Sequence, residues 1–269
     1  MTFIVITILL SCLSMMAVRG RRGAWPPGMP VTRPRLVTAG GTYEGSRGHP
    51  SDAYVIQERL IVTVGGAVRP GGSGDESDPE DGDTDGARVT GAGHAAALAL
   101  GTVVAARPQR AGAREEDLDR CARAAHRAVR AAAQGDPAAC GVLAALDLVV
   151  LDSGDRPRLR FAHFGDGGIW HCPKGRPPRP LTTREAGPPR ARGPASSPRP
   201  EVGTVHLHPG DRVVIVTDGV IRALGVPRMT ELFADGRSPA TCLDGLYDEM
   251  AAAEPKDDAT VIIADFVTV

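Results

Sequence analysis

Four apolar runs in this sequence begin or end on an aspartate, and that placement restricts the fold more than any other feature. In Asp211-Arg-Val-Val-Ile-Val-Thr-Asp218-Gly219 the apolar stretch reads as a buried strand and Asp218-Gly219 as the turn that ends it. Asp257-Asp258-Ala-Thr-Val-Ile-Ile places two acids before the last apolar run. Phe161-Ala-His-Phe-Gly165-Asp166-Gly167 places one after a third, and Arg47 and Asp52 precede Ala53-Tyr-Val-Ile. A carboxylate at a strand end is carried on a rigid element and points out of the apolar layer, as the ligand of a hard cation must. One such acid is an ordinary turn. Four in succession describe a cleft.

The remaining composition narrows the class. With 42% hydrophobic and 23% charged residues, the chain is neither wholly disordered nor a multi-span membrane protein. A net charge of −1 lacks the basic surplus of a nucleic-acid binder, so no nucleic-acid partner is expected. The five cysteines form no CxxC pair, which fits neither a zinc ribbon nor a disulfide scaffold.

Three regions follow from the pattern. Residues 1–22 read as an apolar leader or a single membrane anchor. As a helix, residues 1–18 would span about 27 Å. Arg19, Arg21 and Arg22 would leave the following domain on the cytoplasmic side. Residues 23–35 are a Pro/Gly-rich linker, and 36–269 form the domain, with flexible insertions at 70–90 and 173–200. Within it, 53–64 read as two strands with a turn near 57–59. Helices are expected at 93–106 and 115–134, and a strand pair at 141–151 and 158–163. A strand at 213–217, a helix at 239–253 and a strand at 260–267 complete the domain. Tight turns between strands, with helices grouped between them, favour antiparallel sheets covered by helices.

The order of these motifs resembles the metal-dependent PPM-type (type 2C) serine/threonine phosphatases. Arg47…Asp52-Ala-Tyr is similar to that family's opening Arg-x-x-x-Glu-Asp, and Gly165-Asp166 to its Gly-Asp-Ser. Leu207-His-Pro-Gly-Asp-Arg-Val-Val-Ile-Val-Thr-Asp-Gly219 resembles the approach to its Ser-Asp-Gly motif, and Asp257-Asp258-Ala-Thr-Val its terminal strand. Thr217-Asp-Gly-Val-Ile also resembles the sporulation-type and stress-response branch. The resemblance implies an α+β fold, an α-β-β-α four-layer sandwich of two antiparallel sheets flanked by helices. It also implies a two-metal site for Mg²⁺ or Mn²⁺ that activates water against a phosphorylated protein, with a Ser/Thr kinase as a further partner. On that resemblance the metal residues are Asp52, Gly65, Asp166, Asp218 and Asp257. Asp218 and Asp257 would hold one ion, Asp52 its water and Asp166 a weaker ion, while Arg47 would grip phosphate.

The sequence also departs from the family. The bridging Asp of the Val-Ala-Asp-Gly-x-Gly-Gly motif is read as Val64 in Leu60-Ile-Val-Thr-Val64-Gly65-Gly66, or as Ala67 in the sporulation-branch register. Ser51 stands for the opening Glu, and Gly141-Val-Leu for Gly-Thr-Thr. The expectation is a phosphatase with weakened metal binding, the alternative a pseudophosphatase that binds a phosphoprotein or kinase without hydrolysis. The acidic run at 75–85 reads as a solvated loop. His206 and His208, placed on one strand, read as an exposed polar face, and His163 and His171 lack a third nitrogen ligand.

Overall fold

The structure, a computed structural model, describes residues 33–46, 48, 51–68, 82–110, 112–135, 142–152, 156–183 and 199–269. Residues 1–22, read as leader or anchor, lie outside this set, as do most of the linker, Arg47 and the start of the acidic run. Pro34–Thr268 forms one compact unit. In the other unit, Arg33 and Val269 exchange two backbone hydrogen bonds.

Ten strands and four helices make up the described domain. In chain order they are β1 (Pro34–Tyr43), β2 (Asp52–Gln57), β3 (Leu60–Val68), α1 (Gly82–Ala106), α2 (Glu115–Gly135), β4 (Val142–Asp152), β5 (Arg158–Phe164) and β6 (Gly168–Cys172). They continue with β7 (Arg179–Pro180), β8 (Glu201–His206), β9 (Arg212–Val216), α3 (Asp218–Ala234), α4 (Pro239–Ala253) and β10 (Ala259–Thr268). One sheet has the order β1-β10-β9-β6-β7 and the other β2-β3-β4-β5-β8. All their pairings are antiparallel.

Strand alternation explains the layers. On β3, Leu60, Val62 and Val64 pack with Ala96, Val103, Leu118 and Ala125 of α1 and α2, whereas Ile61 faces the other sheet. On β9 and β10, Val214, Val216, Val261 and Ile263 pack with Phe233 and Leu246 of α3 and α4. Ile215 and Ile262 turn inward instead, to meet Val149 and Phe161 between the sheets. The result is the expected α-β-β-α sandwich with three apolar seams. Helix α2 shows why its sequence is helical: Leu118, Cys121, Ala125 and Val129 form one buried stripe, and Glu115, Glu116 and Asp117 sit in the first turn where the helix dipole favours them.

Several sequence expectations need correction. Helix α1 begins at Gly82, so the latter part of the expected insertion at 70–90 is helical. Within the expected loop at 173–200, β7 pairs with β6 through Trp170↔Pro180 and His171↔Arg179. The sequence reading gives no element to 218–234, yet α3 runs through it, with a break at Gly225 (φ 71°, ψ 155°) that lets Pro227 follow. Strand β8 ends at His206, so His208 does not share its face; the His208 backbone N–H instead donates to Asp211 Oδ2 at 3.0 Å. His163 and His171 are each buried against an acid, Asp147 at 2.7 Å and Asp211 at 3.0 Å, which gives both a structural role.

Candidate metal and phosphate site

The site grows from the end of the inter-sheet seam, where threonines replace apolar residues. Asp52 starts β2, and its Oδ2 accepts the hydroxyls of Thr217 and Thr260, both at 2.8 Å. Thr217 Oγ1 in turn accepts the Thr260 backbone N–H at 2.9 Å. The hydroxyls of Thr42 and Thr260 are 2.8 Å apart; because the Thr260 proton is directed at Asp52, Thr42 is the donor of that pair. One carboxylate thus ties the residue after β9 to β10, and reaches β1 through Thr260, from its place in the other sheet. Burial pushes the Asp52 carboxyl up to about 7. The two threonine bonds act against that rise, and the charges of Asp258 and Asp218 add to it.

Asp258 explains why β2 begins where it does. Its carboxylate accepts the backbone N–H groups of Gly45 (3.1 Å), Ser51 (2.7 Å) and Asp52 (3.4 Å) and the Ser51 hydroxyl (3.3 Å). It is buried, and it fixes the chain entering Asp52. The neighbouring Asp257 is more exposed and turns to Arg222, whose Nη2 lies 3.2 Å from its Oδ2 and also contacts Asp218 Oδ2. Asp218 opens α3. Burial pushes its carboxyl up to about 6, as do the charge of Asp166, a hydrogen bond shared with Asp166 and the charge of Asp257; Arg222 pulls it back.

Asp52, Asp166, Asp218 and Asp257 therefore meet at one rim, linked through these bonds and charges. Arg47 lies outside the described residues. Val64 is completely buried against the helices and does not reach the rim. The β3 residue opposite Asp52 is Gly65, where the β2–β3 pairing ends. Ala67 sits further along β3, opposite Leu143. A Cβ on Gly65 would lie 3.4 Å from Asp52 Oδ1, so Gly65 occupies the place from which a second carboxylate would face Asp52, and it has none. Gly66 is a glycine for another reason: a Cβ there would come within 2.4 Å of the Ala92 carbonyl oxygen.

These residues do not fit a two-cation centre as they stand. Among the described residues no group of three or more His, Cys, Asp or Glu side chains could hold a metal ion. Arg222 spans Asp218 and Asp257, and Asp218 shares a hydrogen bond with Asp166. Sequence reasoning missed Thr217 and Thr260 as partners of Asp52, Thr42 as the donor to Thr260, Asp258 as the anchor of β2, and Arg222. A signal existed for two of these: Thr217 directly precedes Asp218 and Thr260 lies two residues after Asp258, each two residues from an inward-facing isoleucine, Ile215 or Ile262.

The raised carboxyls make stability depend on pH. A folded-state carboxyl above its unfolded value of 3.8 holds a proton that the unfolded chain releases, so its contribution is complete at acid pH and is lost as pH rises through about 6 and 7. In metal-free buffer the melting temperature is expected to fall by several degrees between pH 5 and pH 8. Asp52→Asn should flatten that slope and raise the melting temperature at pH 8. Thermal unfolding followed by circular dichroism checks both, and an unchanged slope in the variant would place the pH dependence elsewhere.

Comparison with known proteins agrees with the fold. The catalytic domain of the serine/threonine phosphatase PstP, solved in complex with two manganese ions, superposes with a TM-score of 0.70 at 18% identity, over 87% of this chain and 99% of that one. The Mycobacterium tuberculosis phosphatase PstP/Ppp gives 0.68 at 18% identity, over 86% and 98%. The PPM Ser-Thr phosphatase MsPP from Mycobacterium smegmatis, in complex with cacodylate, gives 0.61 at 20% identity, over 86% and 98%. No curated protein sequence matches the chain. Residues 87–267 match the family model of Stage II sporulation protein E (SpoIIE). That match takes in most of the chain and three of the four acids at the rim, and the protein belongs to the SpoIIE family of PPM-type phosphatases.

Proposed function

We propose that this domain is a protein serine/threonine phosphatase with weakened divalent-cation binding, acting on phosphoserine or phosphothreonine in a protein substrate. The observation that carries the reading is the meeting of Asp52, Asp166, Asp218 and Asp257 at one rim, beside a strand position, Gly65, that lacks a carboxylate. Hard oxygen donors of this kind suit Mg²⁺ or Mn²⁺. The chain's own contribution is positional. Thr217 and Thr260 hold the Asp52 carboxylate in one orientation, and Asp258 fixes the strand that presents it. A phosphopeptide assay with added Mn²⁺ is expected to give slow turnover, reduced at least about tenfold by Asp218→Asn. Turnover that persists after chelation of all divalent ions would overturn the proposal.

A second reading is a non-catalytic module that binds a phosphorylated protein or its kinase. The ion pairs of Arg222 favour it, because they supply a cation to two of the rim acids without any metal. Phosphopeptide binding without hydrolysis at saturating Mn²⁺ would support this reading over the first. For residues 1–22 we retain the proposal of a membrane tether with the domain on the cytoplasmic side, which fractionation of the full chain against a version starting at residue 23 would test.

A further inference from the structure

We infer that Arg222 is a built-in counter-cation: its guanidinium stands between Asp218 and Asp257, and a divalent ion must displace it to bind there. The inference rests on the reading of Asp218 and Asp257 as the metal-facing acids. The geometry is specific. Arg222 lies four residues after Asp218 on α3, one helical turn away, so the helix itself sets that pair. The same Nη2 reaches Asp257, which belongs to the segment before β10 and not to the helix. A single nitrogen thus joins two carboxylates from separate elements.

The electrostatics run in the same direction. Asp218 and Asp257 carry like charges, and Arg222 is the cation placed between them. A guanidinium keeps its charge at every pH the fold will meet, so it cannot leave by losing a proton. It can leave only by rotating out. The side chain is 52% exposed, which gives it a path into solvent when a stronger cation arrives. Metal binding then carries the cost of breaking both ion pairs and of leaving a positive charge near the incoming ion. The absent carboxylate at Gly65 and the resident cation at Arg222 are separate departures, and both lower affinity.

Titration of the metal-free full chain with Mn²⁺, read from the electron paramagnetic resonance signal of the free ion, tests this without any substrate. Arg222→Gln is expected to bind Mn²⁺ on the order of ten to a hundred times more tightly than the natural chain. Arg222→Lys, which keeps the charge, should stay close to the natural value. The Asp218→Asn and Arg222→Gln double variant should lose the gain. Arg222→Ala serves as a second neutral variant, with circular dichroism confirming that each protein is folded. The inference is overturned if both neutral variants bind Mn²⁺ no better than the natural chain, if the lysine variant gains as much as they do, or if the gain survives loss of Asp218. A gain in Mn²⁺ affinity with no phosphopeptide turnover in any variant would count against the phosphatase reading and leave this one intact.

Discussion

Gly65→Asp is expected to raise Mn²⁺ affinity by an order of magnitude or more, whereas Val64→Asp, one residue away, should unfold the domain. The contrast follows from strand alternation, which sends neighbouring side chains to opposite faces. A Cβ at Gly65 meets only ordinary contacts: Asp52 Oδ1 at 3.4 Å, Thr217 Cγ2 at 3.8 Å and Ala145 Cβ at 4.0 Å. Gly65 is not among the positive-φ glycines, so the backbone accepts a side chain there. The new carboxylate would stand beside Asp52 and repel it until a cation arrives. The melting temperature of this variant should therefore be lower than that of the natural chain in chelator and should climb steeply with Mn²⁺, as expected for a ligand that binds only the folded state. At position 64 the same substitution places an unpaired carboxylate among Leu60, Val62 and the helices, fully shielded from water. That costs about 4 kcal/mol or more, a large part of the stability of a domain this size. Metal titration and thermal unfolding of the two variants check the pair. If Val64→Asp folds and gains Mn²⁺ affinity while Gly65→Asp does not, the β2–β3 register is wrong.

Asp258→Ala carries the second large effect. Four donors converge on this carboxylate, and two of the contacts, from the backbone N–H groups of Ser51 and Gly45, are 2.7 Å and 3.1 Å long. Removing it leaves buried N–H groups without an acceptor, and hydrogen bonds to a charged partner are worth about 1.5–3 kcal/mol each. The expected loss is about 3–5 kcal/mol in urea unfolding. Asp52 should also lose its fixed position, so Mn²⁺ affinity should fall even though the Asp258 carboxylate is taken up by the chain at Gly45, Ser51 and Asp52. Asp257→Asn, at the adjacent residue, should change stability by only about 1 kcal/mol, because its ion pair is with a half-exposed arginine. Equal losses from the two substitutions would contradict the division of labour between these neighbouring acids.

The sequence made the layered architecture legible because its signals are local. The apolar runs at β9 and β10, the helical stripe of α2 and the hairpin turn between β2 and β3 each depend on residues close together in the chain. The motif acids were legible for a related reason: each ends or begins such a run. What escaped depends on pairing between distant segments. Whether Val64 or Gly65 faces the rim is a matter of register, and a shift of one residue exchanges the faces. Asp257 and Asp258 look equivalent in sequence, yet one contacts Arg222 and the other anchors Gly45 and Ser51, more than two hundred residues earlier. Helix α3 was hidden by its own interruption, since Gly225 and Pro227 are the residues that ordinarily signal an ending. Arg222 carried no warning, because a basic residue after an Asp-Gly turn is unremarkable until the fold brings Asp257 beside it.

The triangle formed by Asp52, Thr217 and Thr260 also acts as a calliper on the thickness of the sandwich. Elsewhere the gap between the sheets is filled by side chains such as Ile61, Ile215 and Phe266, whose contacts tolerate small adjustments in spacing. At the rim the gap is spanned by two short hydroxyl-to-carboxylate bonds whose length can barely vary. A bulkier residue introduced deep between the sheets would therefore be felt first at Asp52, and the interior packing and the chemistry of the rim would have to change together.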